Sequence, residues 1–231
     1  MASSFLTATW RHLVLLNWRV DEDLLVPHLP SGVELDRWDG DCWASLVGFQ
    51  FLHMSVKGVP AFGYRDFPEI NLRFYVKRQV NGETRRGVVF IREITPHLMV
   101  GWVARALYNE PYITMPMRQS VDESHALYQL QIDGQWQGLG VRTAGAWRDQ
   151  DEAELFITEH YWGYNTQRNG DAMEYQVEHP TWLARSIELD CLDLDIEKLY
   201  GEQWAQALGT KPDSMVFAEG SEVTVRSGVR I

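Results

Sequence analysis

The segment FPEINLRFYV, residues 67–76, combines side chains that can bind an anion and move a proton. The two-residue period of a strand puts polar residues on one face, Glu69, Asn71, Arg73 and Tyr75. The other face is apolar and reads as core: Ile70, Leu72, Phe74 and Val76. The polar face either looks at water or lines a pocket where a carboxyl, an amide and a guanidinium meet a ligand.

Two other predicted strands carry arginines among apolar residues. Arg11 and Arg19 interrupt TWRHLVLLNWRVD, and Arg92 and Glu93 end the apolar strand in GVVFIREITPHL. A guanidinium presents a fork that matches a carboxylate, so these arginines predict either anion binding or ion pairs within the protein. Strand edges at the solvent are the third interpretation of the same pattern.

Histidines and aromatic residues complete the set of candidates. His97 and His160 are candidates for proton transfer, because a histidine ionises near neutral pH. His160 lies in ITEHYWGY beside Tyr161 and Trp162, which predict either an aromatic core layer or a surface for ring stacking. The seven histidines lack chelating spacing and no GxSxG or phosphate-binding loop occurs, so we predict no metal and no cofactor.

Turn signals predict the elements that position these residues. Asx-Gly pairs favour two-residue hairpin turns and occur at Asp39-Gly40, Asn81-Gly82, Asp133-Gly134 and Asn169-Gly170. The last pair would separate ELFITEHYWGY, residues 154–164, from AMEYQVEH, so both segments are interpreted as strands. Successive hairpins predict antiparallel sheets.

Helices are predicted to be few and short. Asp21 is a candidate N-cap for DEDLLVPHL, and apolar residues recur at helical spacing over residues 97–109. A third amphipathic helix is predicted from Ile196 to near Gly209.

Composition restricts the partners. The chain has 231 residues and a formal net charge of −11, which argues against nucleic acid or an anionic membrane as a partner. The N-terminal apolar run LVLL is too short for a signal-peptide core or a membrane span. We therefore expect a cytoplasmic protein with two free thiols, Cys42 and Cys191.

Longer strings resemble a known family. LLNWRVDEDLLVPHLPSGVELDRWDGDCWASLVGF, FPEINLRFYV, GVVFIREI, ARALYNEPY, FITEHYWGY and EGSEVTV together resemble the YqjF-like family of uncharacterised bacterial proteins. That family is similar to a branch of the acetoacetate decarboxylase-like superfamily. The resemblance implies one mostly β (α+β) domain over residues 1–231, with antiparallel sheets curled into a cone or barrel around a small-molecule cavity and a few short helices.

The resemblance also implies site residues. Arg11 matches an arginine near the start of the decarboxylase pattern, and Glu69 matches one of its two glutamates, whereas the second falls near Ala44. The decarboxylases form a Schiff base with a buried lysine, expected shortly after the strand with Arg92. This chain has no lysine there; its four lysines are Lys57, Lys77, Lys198 and Lys211. Schiff-base chemistry is therefore not predicted.

Two functions remain open from the sequence. The first is a lyase- or isomerase-like enzyme acting on a small keto or carboxylic acid, with Glu69 as general acid or base and His97 or His160 moving a second proton. Substrate binding is assigned to Arg11, Asn71, Arg73, Arg92, Tyr161 and Trp162. The alternative is a non-catalytic binding or sensor protein for a small acidic or aromatic metabolite. A self-associating scaffold, and hence a homo-oligomer, is a further possibility.

Overall fold

A computed structural model of the chain describes residues 4–61, 63–98 and 109–231. In these residues fifteen strands join into one hydrogen-bonded sheet, which makes a single domain. The strands are β1 Ser4–Val20, β2 Glu34–Leu35, β3 Cys42–Val56, β4 Val59–Pro60, β5 Phe67–Val80, β6 Glu83–Thr95, β7 Tyr112–Thr114, β8 Met117–Val121, β9 His125–Ile132, β10 Gln135–Arg148, β11 Trp162–Thr166, β12 Ala172–Glu178, β13 Ala184–Leu192, β14 Ser214–Arg226 and β15 Val229–Arg230. The helices are α1 Glu22–Leu25, α2 Glu152–Thr158, α3 Ile196–Tyr200 and α4 Glu202–Leu208, with a 3-10 turn at Val26–His28.

Seven of the strands close into a ring. The order of pairing is β1, β3, β5, β6, β11, β12 and β14, and β14 pairs again with β1. The β6–β11 join is parallel and consists of two residue pairs, and β12 meets β14 through Val177–Val225 and Glu178–Thr224. These short joins make a closed ring rather than a regular barrel.

The remaining strands cover the outside of the ring. From β14 the sheet continues through β13, β10, β9 and β8. The apolar side of this extension packs on the outer face of β1, β3 and β5, which forms the larger core. A second core lies on the inner face of the ring.

Strand β1 shows why an unbroken apolar run is required. Leu13 and Leu15 belong to the inner core, whereas Val14 and Leu16 belong to the outer core. All four side chains are buried. A strand covered on both faces needs apolar residues at successive positions, which the sequence LVLL provides.

The predicted hairpins form where expected at three sites. Asn81-Gly82 joins β5 to β6 and Asp133-Gly134 joins β9 to β10, with positive φ at both residues of each pair. Asp39-Gly40 turns between Trp38 and Asp41, which bond to each other in both directions. At Asn169-Gly170 the connection is a longer loop, closed by a bond from the Gln167 N–H to the Asp171 carbonyl.

The three helix predictions have different outcomes. Helix α1 begins after Asp21, whose side chain accepts a bond from the Asp23 N–H, as predicted. The predicted C-terminal helix is split into α3 and α4 at Gly201, where φ is 97°. The helix predicted over residues 97–109 falls almost entirely outside the described residues.

One strand prediction is wrong. Residues 154–158, ELFIT, are helical and end α2 instead of beginning a strand. The cause is local: Asp151 and Glu154 form a reciprocal capping box, which satisfies free N–H groups at the start of the helix. Only the second part of ELFITEHYWGY is extended, in β11.

The fold class expected from the sequence is confirmed: a mostly β domain of curled antiparallel sheets with a few short helices. Both cysteines are free thiols, also as expected. None of the described helices is long and apolar enough to cross a membrane.

Gly220 holds β14 close to β1, and we predict that it does not tolerate a side chain. Its φ is +78°, and a Cβ there would lie 2.0 Å from the carbonyl oxygen of Trp10. We expect Gly220→Ala to lower the free energy of unfolding by about 3 kcal/mol, from backbone strain plus the clash. Urea denaturation measures the loss.

Gly58→Ala is the matched control, because Gly58 has a similar φ of +76° and open space around its Cβ position. It should lose only about 1 kcal/mol, from strain alone. Equal losses in the two variants would contradict the role given to close strand approach.

Candidate active site

The inner face of the ring encloses a cavity of about 230 Å³. Aromatic side chains contribute a large part of its wall, among them Trp10, Phe49, Phe51, Tyr64, Phe90, Trp162, Tyr175 and Trp182. A wall of this kind suits a small ligand with an apolar body and leaves recognition to a few polar groups.

The polar face of β5 looks into this cavity. Glu69, Asn71 and Arg73 all line it, and the Glu69 and Asn71 residues are each only 2% exposed. The Glu69 carboxyl accepts a hydrogen bond from the Asn71 amide at 3.1 Å and one from the Tyr112 hydroxyl at 2.9 Å. Two neutral donors therefore fix its orientation.

A β-bulge brings Glu93 into the cavity. Val88 and Phe90 of β6 line the wall, so strict alternation would place Arg92 there next. The register of β5 and β6 shifts between Leu72 and Arg73, which adds one residue to β6 and turns Glu93 inward, directly opposite Asn71. Glu93 is 4% exposed.

The same bulge corrects the expectation for Arg92. Its guanidinium donates to the carbonyl of Leu199 in α3, and Arg92 is not among the residues lining the cavity.

An irregularity in β1 likewise turns Arg11 away from the cavity. Leu13 and Leu15 face inward, so alternation would also put Arg11 inside, but His12 has a φ of 55° and the pairing with β3 shifts between Arg11 and Val14. Trp10 takes the inward position. The Arg11 guanidinium donates instead to the Gly220 carbonyl at 3.2 Å, so the structure does not bring Arg11 to Glu69.

Two further groups come from the start of β7 and the residues just before it. Glu110 and Tyr112 both line the cavity. Glu110 is 4% exposed and accepts hydrogen bonds from the Asn165 amide at 2.9 Å and the Tyr175 hydroxyl at 2.7 Å. We call Glu69, Glu93 and Glu110 the glutamate cluster.

Gly163 makes room for one of these donors. A Cβ at Gly163 would lie 2.1 Å from Cζ and 2.4 Å from the hydroxyl oxygen of Tyr175. Only glycine lets the Tyr175 ring cross β11 at this distance and reach Glu110.

Burial dominates the electrostatics of the glutamate cluster. It raises the pKa of Glu69 to about 7 against the hydrogen bonds from Asn71 and Tyr112, and the nearby Glu110 adds to the rise. Burial likewise raises the pKa of Glu110 to about 7. Burial, with the charges of Glu110 and Glu69, raises the pKa of Glu93 well above its ordinary value. Near neutral pH the cluster can both accept and release protons.

Arg73 and His160 are two further polar groups of the cavity wall. Arg73 donates one long bond of 3.4 Å to the Ile157 carbonyl, and its Nε has no partner among the described residues. His160 Nε2 lies 3.3 Å from Asp36, which Arg86 also contacts at 2.6 Å. Burial lowers the pKa of His160 to about 4, so the ring is neutral.

Asp36 fixes the orientation of the His160 ring. Burial acts to raise the pKa of Asp36, but the hydrogen bonds from His160 and Arg86 outweigh it and hold the pKa at about 2. An ionised carboxylate only accepts, which favours the proton on His160 Nε2. The buried Nδ1, unpartnered in the described part of the chain, is then an acceptor.

Of the other predicted residues, one lines the cavity and two do not. Trp162 lines the cavity, with Arg85 stacked 4.3 Å from its ring centroid. Tyr161 donates to Glu159 and His97 packs against Tyr64 and Phe67, and neither Tyr161 nor His97 is among the lining residues. The structure therefore brings together Glu69, Asn71, Arg73, His160 and Trp162.

Sequence reasoning missed Glu110, Tyr112 and Tyr175. Glu110 and Tyr112 stand in the string ARALYNEPY, but no spacing relates that string to Glu69. Their contacts arise from the parallel pairing of β7 with β6, which sets Tyr112 beside Glu93. No periodicity in a single segment reports such a pairing.

Two kinds of chemical group are absent from the described part of the cavity wall. None of the four lysines, all of them in the described part of the chain, lines the cavity. No group of three or more His, Cys, Asp or Glu side chains in the described residues is arranged to hold a metal ion.

Comparison with known sequences gives the family. The model of the DUF2071 family, described as an uncharacterized conserved protein, matches residues 7–222. The chain belongs to the DUF2071 family. This DUF2071 chain is 26% identical over 191 residues to the uncharacterized protein YqjF of Bacillus subtilis (strain 168), covering 79% of the chain and 76% of YqjF. The predicted YqjF-like resemblance is confirmed.

Solved structures share the fold. An acetoacetate decarboxylase from Legionella pneumophila has a TM-score of 0.68 and 13% identity, covering 99% of this chain and 88% of that one. The enduracididine biosynthesis enzyme MppR complexed with pyruvate has a TM-score of 0.66 and 14% identity, covering 100% and 91%. An acetoacetate decarboxylase-like enzyme from Sphingomonas wittichii RW1 has a TM-score of 0.65 and 13% identity, covering 99% and 94%. The DUF2071 chain thus has an acetoacetate decarboxylase-like fold.

The raised pKa of Glu110 predicts a pH-dependent gain in stability for Glu110→Gln. Between about pH 4.5 and pH 7 the carboxyl ionises in the unfolded chain but stays protonated in the folded one, so it destabilises the wild type as pH rises. The amide cannot ionise and still accepts from Asn165 and Tyr175. We expect no advantage below about pH 4.5 and up to about 3 kcal/mol above pH 7.

Chemical denaturation of both proteins across this pH range measures the difference. Glu83→Gln, at the exposed first residue of β6, is the control and should show no such trend. A difference between Glu110→Gln and wild type that does not change with pH would contradict the raised pKa.

Proposed function

We propose that this protein is an enzyme that moves a proton at the carbon beside the carbonyl group of a small keto or carboxylic acid. Glu69 is its general acid and base, and no Schiff base is formed. The observation that carries the proposal is the Glu69 carboxyl in the cavity wall, buried and held by Asn71 and Tyr112, with a pKa of about 7.

A carboxyl with this pKa suits both directions of proton transfer. At neutral pH the ionised form takes the proton from carbon, the C–H electron pair becomes the enolate, and the negative charge develops on the carbonyl oxygen. Glu69 then returns a proton to carbon. Efficiency is greatest when the pKa of the base lies near the working pH.

Arg73 supports the assignment of an acidic substrate. It is the cation on the same face of β5 as Glu69, and its charge opposes the rise in the pKa of Glu69. Its unpartnered Nε leaves donors available for a carboxylate or an enolate oxygen. Arg73 thus takes the substrate-binding role that the sequence had also assigned to Arg11 and Arg92.

His160 is assigned a role as hydrogen-bond acceptor for the substrate and not as a second acid or base. With Nε2 held by Asp36, Nδ1 accepts a bond from a hydroxyl or enol of the substrate. Its pKa of about 4 keeps the ring neutral at the pH where Glu69 titrates. Two groups with separated pKa values suit separate roles.

The fold comparisons support enzymatic use of such a cavity. The solved neighbours named above are described as enzymes, and MppR was crystallised with pyruvate, a keto acid. A binding or sensor protein without turnover is the competing function, and the same experiment separates the two.

Hydrogen exchange tests the proposal directly. The protein is incubated in D₂O with short keto acids and carboxylic acids, and proton NMR follows the loss of signal at the carbon beside the carbonyl. We expect exchange with at least one keto acid, with a rate that rises as pH increases through about 7 and Glu69 ionises. Glu69→Gln should lower the rate by about a hundredfold or more while leaving binding intact.

Met54→Leu is the control, because Met54 lines the same cavity without a polar group. It should retain nearly full exchange. Compounds that bind without exchanging would favour the sensor function, and full exchange by Glu69→Gln would show that another group is the base.

A further inference from the structure

The cavity wall contains buried polar atoms that have no hydrogen-bond partner among the described residues. Besides His160 Nδ1, the acceptors are Asn71 Oδ1, Glu93 Oε2 and Glu110 Oε2, in residues that are each at most 4% exposed. A buried acceptor without a donor costs free energy, so native proteins rarely leave several together. Their grouping in one cavity points to a ligand that supplies donors.

The register of the strands places these acceptors side by side. Asn71 and Glu93 are directly opposite each other on β5 and β6, where facing Cβ atoms lie about 5 Å apart. Glu93 is paired in turn with Tyr112, two residues after Glu110. The charge of Glu110 reaches Glu93 strongly enough to help raise its pKa.

We propose that the glutamate cluster, together with Asn71, binds a protonated primary amine on the substrate. An ammonium group has three N–H donors and no acceptor, which matches three acceptors that lack donors. The inference rests on the proposed function, since it refines the substrate of the same cavity to an amino-substituted keto or carboxylic acid with its carboxylate toward Arg73.

The pairing of other buried acids supports this assignment. Glu174 is bound by Arg78 at 2.8 Å and Arg85 at 2.5 Å, and Asp36 by Arg86. In the described residues, by contrast, no member of the glutamate cluster lies within ion-pair distance of a lysine or arginine, and its partners Asn71, Tyr112, Tyr175 and Asn165 are neutral. Among the described residues, therefore, the other buried acids have an arginine partner and the glutamate cluster has none, and a ligand ammonium group would fill that place.

In the free protein, bound protons neutralise the carboxyls of the glutamate cluster, as a ligand cation would in the complex. The groups that face the cluster are its own three carboxyls, the hydroxyls of Tyr112 and Tyr175, and the Arg73 guanidinium. A bound ammonium group favours the ionised carboxylates, so binding releases protons near neutral pH and tightens as pH rises.

Matched pairs of simple ligands test the inference. Primary n-alkylamines from methyl to hexyl are compared with the alcohols of equal chain length by isothermal titration calorimetry at about pH 8. This pH lies above the pKa of about 7 of Glu69 and Glu110, and the amines are still protonated. We expect at least one amine to bind about tenfold or more tighter than its alcohol, because its hydrogen bonds are charge-assisted. The preference should shrink at about pH 5.5, and titration in two buffers should reveal proton release for amines only.

Variants assign the preference to the cluster. Glu93→Gln combined with Glu110→Gln should abolish it while leaving alcohol affinity unchanged, and circular dichroism and thermal unfolding confirm that the variant is folded. Glu69→Gln alone should keep most of it, since two carboxylates and Asn71 remain. The inference is overturned if amines show no preference over alcohols at any length, if no amine binds, or if the preference survives the double substitution.

The outcomes are separable from the proposed function. Glu69-dependent exchange without amine preference would leave the proton-transfer function standing and remove the ammonium site. Amine preference without exchange of any keto acid would leave a binding site for amines and remove the catalytic assignment.

Discussion

The pairing of β12 with β14 is the contact on which the site depends. Two residue pairs there complete a ring of seven strands that otherwise would end in open edges. Closure takes the inner face of the ring out of bulk water. The polar residues of β5 and β6 are thereby desolvated, and desolvation is the main cause of the raised pKa values in the glutamate cluster.

The strands that form the cavity are stabilised by packing on the other face of the same sheet. Strands β13, β10, β9 and β8 cover the outside of β1, β3 and β5, so those strands are held by an apolar core that does not involve the cavity. Buried acids elsewhere are neutralised by arginines, as Glu174 is by Arg78 and Arg85. Among the described residues, the three carboxyls without a cation partner thus lie on or next to strands that a separate apolar core already holds in place. Strain or repulsion at functional sites is commonly supported in this way.

Two β-bulges select which charges enter the cavity. The irregularity at His12 in β1 turns Arg11 outward, and the shift in β6 exchanges Arg92 for Glu93. Each replaces an expected cation by another residue, so the interior is more acidic than alternation implies. Among the described residues, the guanidinium that lines the cavity is that of Arg73, from a stretch of β5 where alternation holds.

The sequence by itself determined the elements and one wall of the site. The Asx-Gly turns, the run LVLL and the alternation of FPEINLRFYV are all patterns among neighbouring residues. The mostly β fold class, three hairpins and the shared face of Glu69, Asn71 and Arg73 could therefore be predicted. Capping by Asp151 and Glu154 is an equally local signal, and it makes ELFIT helical although the Asn169-Gly170 turn predicts a strand there. Only the tertiary structure decided that Glu93, Glu110, Tyr112 and Tyr175 join Glu69. Bulges change the facing of a strand by one residue, and pairings between distant segments have no period in the sequence, so neither can be found by following one segment alone.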